Sequence, residues 1–232
     1  MAQNLSSAVM QQRSEPSTSF DYFGTPPWAT RALLERLQIP RQSVLWDAAC
    51  GRGFMTRPMS EYSDHVIGSD IQDLGFGRVI DFLAENASAM INARSNWIIT
   101  NPPFKHGDAF VLRALELAED GVAVLVRCAF AEGRGRYERL FRDNPPTMRL
   151  QFVDRVVMHK GDPPDPDIPL PVWDKKKRKY VMRKPSTATS YEWMVWDKSR
   201  AGQKTETDWL DTKRAELTRP GDYDAPKLPL AA

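Results

Sequence analysis

Short apolar segments alternate with amphipathic segments along the first half of this chain, and this alternation restricts its fold more than any other feature. The predicted buried strands cover residues 43–47, 65–69, 97–100 and 122–126. Residues 108–120 carry apolar side chains at helical spacing, which predicts a helix that Gly121 ends. Strands that alternate with helices form a parallel sheet with right-handed crossovers and helices on both faces. The sequence therefore predicts an α/β fold with a mostly parallel sheet.

Further elements are predicted on either side of these strands. A first helix is predicted to open at Thr25, with the threonine as its cap and prolines in its first turn, and to end by Pro40. Residues 191–196 alternate in polarity, which predicts an antiparallel strand that closes the sheet. A short helix is predicted near residues 208–217.

The chain of 232 residues is interpreted as one α/β domain with tails. The domain is predicted to span residues 21–197, with a basic and proline-rich insert at residues 161–189. Residues 1–20 are rich in serine and glutamine and are predicted to be a flexible lead-in, whereas residues 198–232 are predicted to form a polar tail.

The composition excludes several other classes of protein. Two cysteines are too few for a disulfide scaffold, and no apolar run approaches the roughly 20 residues of a membrane span. The N-terminus lacks the basic start and apolar run of a secretory signal, so a cytoplasmic protein without membrane partners is expected. The three histidines show no metal-ligand spacing, which predicts no metal. Because the net charge is only +2, any nucleic-acid contact must come from a local cluster of charge.

A glycine-containing turn follows the first predicted strand. Asp47 ends the strand, and Gly51 and Gly53 lie in the turn, where glycine lets backbone N–H groups approach a ligand. Asp70 ends the second strand about twenty residues later, where a carboxylate can accept both hydroxyls of a ribose. No Gly-Lys-Ser/Thr sequence follows, so the turn is not a phosphate-binding P-loop. The pair favours a nucleoside ligand, and the absence of pyrophosphate spacing favours adenosylmethionine over NAD.

The tetrapeptide after the third predicted strand carries the most specific chemical signal. Its members are Asn101, Pro102, Pro103 and Phe104. Two prolines make the loop rigid and remove its amide donors, so it presents the asparagine side chain and backbone carbonyls as acceptors. Such acceptors can hold an exocyclic amine or an amide N–H, while the phenylalanine offers a face for a planar ring. Asp47, Asp70 and Asn101 all lie at the carboxyl ends of predicted parallel strands, where ligands of such sheets bind.

In these residues the chain resembles the amino-methylating branch of the class I S-adenosylmethionine-dependent methyltransferases. It looks most like compact DNA adenine-N6 methyltransferases of phages and mobile elements, and the resemblance covers roughly residues 21–197. The resemblance implies a Rossmann-like fold, S-adenosylmethionine as the cofactor, DNA as the partner and a catalytic role for residues 101–104. The cofactor-binding residues that it implies are Thr25, Pro26, Asp47, Gly51, Gly53, Asp70, Asp81 and Phe82.

A basic cluster follows the proline-rich part of the insert. Between residues 171 and 184, seven basic side chains oppose a single acid, Asp174. A contact with a phosphate backbone is favoured over a solvated loop, because aromatic residues border the cluster. The predicted DNA-binding residues are Lys175, Lys176, Lys177 and Lys179. Residues 133–136, with two further arginines, are interpreted with equal weight as a second contact or as a flexible turn.

The sequence thus predicts transfer of a methyl group from S-adenosylmethionine to the N6 amine of adenine in DNA. One alternative is a protein-glutamine or RNA-base N-methyltransferase that uses the same tetrapeptide. Another is a nucleic-acid-binding relic of the fold without turnover. Methylation of a cytosine carbon would require a nucleophilic cysteine, and residues 101–104 contain none. The sequence specifies neither a recognition sequence nor an oligomeric state.

Overall fold

A computed structural model describes residues 22–174, 177–211 and 214–223 of the chain. The strands are β1 (Val44–Asp47), β2 (His65–Asp70), β3 (Arg78–Val79), β4 (Ser95–Thr100), β5 (Ala118–Arg127), β6 (Met148–Phe152), β7 (Leu170–Asp174), β8 (Lys179–Arg183), β9 (Tyr191–Asp197) and β10 (Glu206–Leu210). The α-helices are α1 (Pro27–Leu37), α2 (Thr56–Met59), α3 (Ala87–Ile91), α4 (Gly107–Leu117), α5 (Arg134–Arg136) and α6 (Arg214–Leu217). None of the helices in these ranges is long and apolar enough to cross a membrane.

The strands form one large sheet and a separate hairpin. The large sheet has the order β10-β6-β9-β5-β4-β1-β2-β3, and β7 pairs with β8 in the hairpin. All neighbours in the large sheet are parallel except β9, which is antiparallel to both β5 and β6. The prediction of an α/β fold with a mostly parallel sheet and an antiparallel strand near its end is therefore confirmed.

The predicted helix over residues 108–120 is wrong at its end. The helix α4 ends at Leu117, and β5 begins at Ala118, four residues before the predicted strand. Gly121 lies within β5 and pairs with Trp97 of β4. A Cβ atom at Gly121 would lie 2.5 Å from the Trp97 ring, so this glycine allows the strand and the indole to pack together. Its role is close packing, and it does not end a helix.

The helix α1 begins without the predicted threonine cap. Pro26 occupies the cap position and no side chain caps the helix, while Pro27 is its first residue. The prediction of Thr25 as the cap is therefore wrong. The helix buries Trp28, Leu33 and most of its other apolar side chains on one face of the sheet. The opposite face of the sheet is covered by an apolar cluster that includes the inner side of α4.

The C-terminal part of the described chain adds to the sheet. The helix predicted near residues 208–217 is wrong over its first half, because Glu206–Leu210 forms the edge strand β10, parallel to β6. Among the described residues of that segment, Arg214–Leu217 is helical. The buried guanidinium of Arg31 in α1 forms ion pairs of 2.7 Å with Glu61 and with Asp222. Part of the segment predicted as a polar tail therefore packs against the first helix.

Candidate active site

A cavity of about 520 Å³ lies at the carboxyl ends of β1, β2 and β4. Its volume is typical of a site for a cofactor or another small molecule. The structure brings most of the predicted site residues to its wall, namely Thr25, Asp47, Asp70, Asp81, Phe82, Asn101, Pro102, Pro103 and Phe104. Pro26, Gly51 and Gly53 do not line the cavity.

The two glycines shape the turn behind this wall. Gly51 has a φ of +52° and Gly53 a φ of +84°, values that glycine adopts without strain. A Cβ atom at Gly51 would lie 2.4 Å from the ring of Tyr22, and one at Gly53 would lie 2.6 Å from the ring of Phe76. Both glycines therefore let an aromatic ring pack directly on the turn.

Asp47 joins this turn to the tetrapeptide of residues 101–104. Its side chain is fully buried and accepts hydrogen bonds from the hydroxyls of Thr100, at 2.9 Å, and Thr56, at 3.0 Å. Burial raises the pKa of Asp47 to about 7, although the two hydrogen bonds act in the opposite direction. Because Thr100 immediately precedes Asn101, the carboxylate fixes the end of β1 relative to the start of the tetrapeptide.

Asp70 presents a partly bonded carboxylate to the cavity. One of its oxygens accepts the backbone N–H of Gly51 at 2.9 Å, and the other accepts that of Gln72 at 3.0 Å. A carboxylate has about four acceptor positions, so each oxygen keeps capacity for a second donor. The half-buried side chain can therefore receive two neighbouring hydroxyl groups of a ligand.

The amide of Asn101 is held in one orientation. Its Nδ2 atom donates to the carbonyl of Phe23 at 3.0 Å and to the hydroxyl of Thr25 at 3.1 Å. Since a carbonyl only accepts, this bond identifies the nitrogen side of the amide. Among the described residues, no donor reaches the Oδ1 atom of Asn101, which leaves an oriented acceptor on a residue of the cavity wall.

The remainder of the tetrapeptide forms a rigid and partly aromatic wall. The carbonyl of Pro103 accepts the N–H of His106 at 2.9 Å, and this bond closes the loop in front of α4. Phe23 meets the Phe104 ring edge-on, with centroids 5.3 Å apart. The guanidinium carbon of Arg127 lies 4.3 Å from the centroid of the same ring.

Asp81 and Phe82 occupy different environments at the far end of the cavity. Asp81 is exposed, and its carboxylate accepts the N–H of Leu83 at 3.0 Å. Phe82 is buried and packs against Trp46 and Phe110. The ring therefore belongs mainly to the core and reaches the cavity only at its surface.

The sequence interpretation did not include a segment that covers the turn after β1. Residues 22–24 pair with Gly161 through two backbone hydrogen bonds of 2.8 and 3.0 Å. The carboxylate of Asp162 accepts the Tyr22 hydroxyl at 3.0 Å and forms an ion pair with Arg52 of the turn. These partners are more than a hundred residues apart in the chain, so no local pattern could indicate them.

Of the predicted DNA-binding lysines, the two that the structure describes do not line the cavity. Lys175 and Lys176 lie outside the described residues, whereas Lys177 and Lys179 are exposed on the β7–β8 hairpin. The exposed rings of Trp173 and Tyr180 pack on each other in the same hairpin, with centroids 5.2 Å apart. Within the described ranges, no group of three His, Cys, Asp or Glu side chains is arranged to hold a metal ion.

Comparison with known proteins gives matches among solved structures. No protein-family model matches the chain, and the search of curated proteins found no match. The chain is similar to a protein described as a modification subunit of a type I restriction enzyme from Vibrio vulnificus YJ016, with 13% identity, a TM-score of 0.51 and 83% of this chain covered. It is also similar to the M protein of the type I restriction enzyme EcoKI, with 14% identity, a TM-score of 0.52 and 77% of this chain covered. The matches cover 48% and 44% of those two proteins, so the chain spans about half their length.

A third similar structure is described as an RNA methyltransferase from Pyrococcus horikoshii. It has 18% identity and a TM-score of 0.48, and the match covers 82% of this chain and 96% of that one. At such identities, the structural likeness establishes the fold alone. The fold that the chain shares with the two modification subunits is Rossmann-like, with the mostly parallel sheet that the sequence predicts.

Proposed function

We propose that this protein transfers a methyl group from S-adenosylmethionine to the N6 amine of adenine in DNA. The observation that carries the proposal is the oriented amide of Asn101 at the end of β4. Its nitrogen is bonded to Phe23 and Thr25, so its oxygen remains as an acceptor for an incoming amine. An acceptor fixed in this way needs no rearrangement when the substrate binds.

The cavity contains groups that fit the separate parts of the cofactor. The two oxygens of Asp70, each with one backbone donor, suit the hydroxyls of a ribose. Asp81 can accept the amine of the cofactor adenine beside the ring of Phe82. Thr25 and Pro26 belong to the segment that would hold the methionine end, although only Thr25 lines the cavity. When bound, S-adenosylmethionine supplies a methyl group on a positively charged sulfur.

The tetrapeptide then positions the amine that receives this methyl group. The Oδ1 atom of Asn101 and the carbonyl of Pro102 accept the two amine hydrogens, which directs the nitrogen lone pair away from them. Among the described residues, no backbone N–H group bonds to the Pro102 carbonyl. Phe104 stacks on the base and limits its rotation. Positioning of this kind is the main catalytic device, and it contributes several kcal/mol in well-oriented systems.

A base inside a duplex cannot reach this loop, so the target adenine must leave the helix. The energy for holding the DNA comes largely from phosphate contacts. We assign such contacts to Lys175, Lys176, Lys177 and Lys179. The two of them that the structure describes, Lys177 and Lys179, are exposed on the β7–β8 hairpin, which also carries the exposed rings of Trp173 and Tyr180. The similar modification subunits are described as parts of restriction enzymes, which is consistent with a DNA substrate.

Expression in a bacterial host that lacks DNA methylation tests the proposal. Sequencing with modified-base detection should show N6-methyladenine in host DNA, and Asn101→Ala should reduce its rate of formation by about 10²–10³-fold. Binding of S-adenosylmethionine by the variant, measured by calorimetry, should change little. The matched control is Asn86→Ala, an exposed asparagine in front of α3 that makes no capping hydrogen bond.

Three results would contradict the proposal. The first is a full rate of DNA methylation by Asn101→Ala. The second is methylation of RNA or of protein glutamine while DNA stays unmodified. The third is failure of the purified protein to bind S-adenosylmethionine, which would favour a nucleic-acid-binding relic of the fold.

A further inference from the structure

A second, smaller cavity borders the catalytic tetrapeptide. Its volume is about 220 Å³, and its wall shares Pro102 and Phe104 with the larger cavity. The other lining residues come from the end of β5, the residues that follow it and the start of α4, namely Gly107, Val126, Arg127, Ala129, Phe130 and Arg136. The sequence alone leaves two interpretations open for Arg136, and it assigns no role to Arg127.

The charged residues that line this second cavity are all positive. Arg127 and Arg136 contribute two guanidinium groups, and no lining residue is acidic. Gly107, another lining residue, is the first residue of the eleven-residue helix α4, whose N-terminus carries partial positive charge. The acid in the first turn of this helix, Asp108, is bound by Arg139 at 2.7 Å. The cavity is therefore suited to an anion.

The two arginines are held in place but keep hydrogen-bonding capacity. The guanidinium of Arg136 donates to the carbonyls of Phe130 and Glu132, both at 2.9 Å, and lies over the Phe130 ring. Arg127 lies over the Phe104 ring and, within the described ranges, donates to no carbonyl or carboxylate. The Nε atoms of both arginines are buried without a hydrogen-bond partner there. Buried donors of this kind are costly unless a ligand satisfies them.

The position of the cavity identifies the anion. A nucleotide whose base stacks on Phe104 carries a phosphate on each side of its sugar. One of these phosphates must lie within a nucleotide length of the ring, and Phe104 is part of the wall of the second cavity. The planar guanidinium group of arginine matches two phosphate oxygens at once.

We propose that Arg127 and Arg136 bind a backbone phosphate next to the flipped nucleotide. This inference rests on the proposed function and adds a phosphate site within the active centre, separate from the hairpin lysines. The site holds the sugar-phosphate chain while the tetrapeptide holds the base. It recognises phosphate and is independent of base sequence.

The salt dependence of DNA binding tests the proposal. Anisotropy titrations with a fluorescein-labelled duplex of mixed sequence, at several salt concentrations, are compared for the unaltered protein, Arg127→Gln and Arg127→Lys. Arg127→Gln should weaken binding about tenfold and flatten the slope of log K against log salt by about 0.9, the value for one phosphate contact. Arg127→Lys should keep the slope and lose part of the affinity. Lysine keeps the positive charge but lacks the planar guanidinium group, which can bind two phosphate oxygens at once.

The control variant is Arg94→Gln, a highly exposed arginine before β4, at the opposite edge of the sheet. It should keep both affinity and slope. Calorimetry with S-adenosylmethionine should give the same affinity for all variants, which verifies that they are folded. Methylphosphonate linkages beside the target adenine remove the phosphate charge and should weaken DNA binding by the unaltered protein. They should not weaken DNA binding by Arg127→Gln any further, because the arginine and the phosphate are coupled partners.

The outcomes separate this inference from the proposed function. An Arg127→Gln slope equal to that of the unaltered protein would overturn the phosphate site, even if DNA methylation is confirmed. A lower methylation rate of Arg127→Gln without any change in its DNA affinity would also overturn the phosphate site. It would indicate that the cavity holds the base, which carries no charge. Failure of the unaltered protein to bind DNA at all would refute the proposed function together with the phosphate site.

Discussion

The buried carboxyl group of Asp47 should make the stability of this protein fall as the pH rises. Its pKa is raised from the ordinary value of 3.8 to about 7, mainly because the side chain has no contact with solvent. The folded state therefore binds a proton between these pH values that the unfolded chain has released. Stability from this group is fully present below about pH 4 and is lost as the pH rises to about 7.

The magnitude follows from the two pKa values. A difference between 3.8 and about 7 corresponds to about 4 kcal/mol, at about 1.4 kcal/mol for each pH unit. This is a large fraction of the roughly 5–15 kcal/mol that stabilise a typical domain. Asp47→Asn keeps the shape of the side chain and cannot ionise; its oxygen accepts from one of the two threonine hydroxyls, and its NH2 group donates to the other.

Urea unfolding of the protein and of Asp47→Asn at about pH 4.5, about pH 6 and about pH 8 measures this effect. Other titrating groups are common to both proteins, so the difference between their unfolding free energies isolates Asp47. This difference should shift in favour of the variant by about 3 kcal/mol between the lowest and the highest pH, because part of the full effect is already lost at about pH 4.5. Parallel pH profiles for the two proteins would show that the buried carboxyl group titrates normally, and the reasoning from burial would be refuted.

Three further predictions concern the cofactor turn, the C-terminal segment and the hairpin. Gly51→Val should abolish S-adenosylmethionine binding in calorimetry, because Gly51 has a φ of +52° and a side chain there would collide with Tyr22. The control is Gly75→Val, at a position with a φ of +76° and no neighbouring atoms, and it should still bind. Arg31→Met should lower the unfolding free energy by about 3–5 kcal/mol, since it leaves the buried carboxylate of Asp222 without its cation and leaves Glu61 with Arg219 alone. The exposed Arg36→Met should change it by less than about 1 kcal/mol, and equal effects would contradict the packing of this segment. Replacement of Lys175, Lys176, Lys177 and Lys179 by alanine should weaken DNA binding about equally for all sequences and flatten the salt slope by up to about 0.9 for each phosphate that is no longer bound; an unchanged slope would identify a solvated hairpin.

The strands that position the site were predictable because their signals are local. Apolar runs that end at Asp47, Asp70 and Asn101 indicate buried parallel strands, and parallel strands place their carboxyl ends at one edge. The start of β5 was not predictable in this way. Ala118 and its neighbours continue the helical pattern of α4, and only pairing with β4 decides that they form a strand. Strand β10 was also missed, because its position at the edge of the sheet leaves several of its side chains exposed.

The contacts that orient the amide of Asn101 were beyond any local pattern. The amide of Asn101 is hydrogen-bonded to Phe23 and Thr25, which lie nearly eighty residues earlier in the chain. It also contacts the sulfur of Met158, which lies 57 residues later. The sequence indicates that an asparagine before two prolines presents acceptors, but it does not indicate which neighbours fix the amide. These neighbours come from distant parts of the chain, and they meet Asn101 only in the folded protein.

The order of strands explains how the turn after β1 and the tetrapeptide after β4 are held at fixed positions relative to each other. From β1 the chain runs to β2 on one side, whereas β4 pairs with β1 on the other, so the reversal of strand order falls between β1 and β4. Ligands of doubly wound sheets bind at such a reversal, because the loops diverge there and leave a crevice. In this protein the hydrogen bond from Thr100 to Asp47 spans that crevice at its base. The carboxylate thereby ties the turn that supports Asp70 to the tetrapeptide that carries Asn101. The proposed reaction depends on positioning and therefore requires a rigid link of this kind.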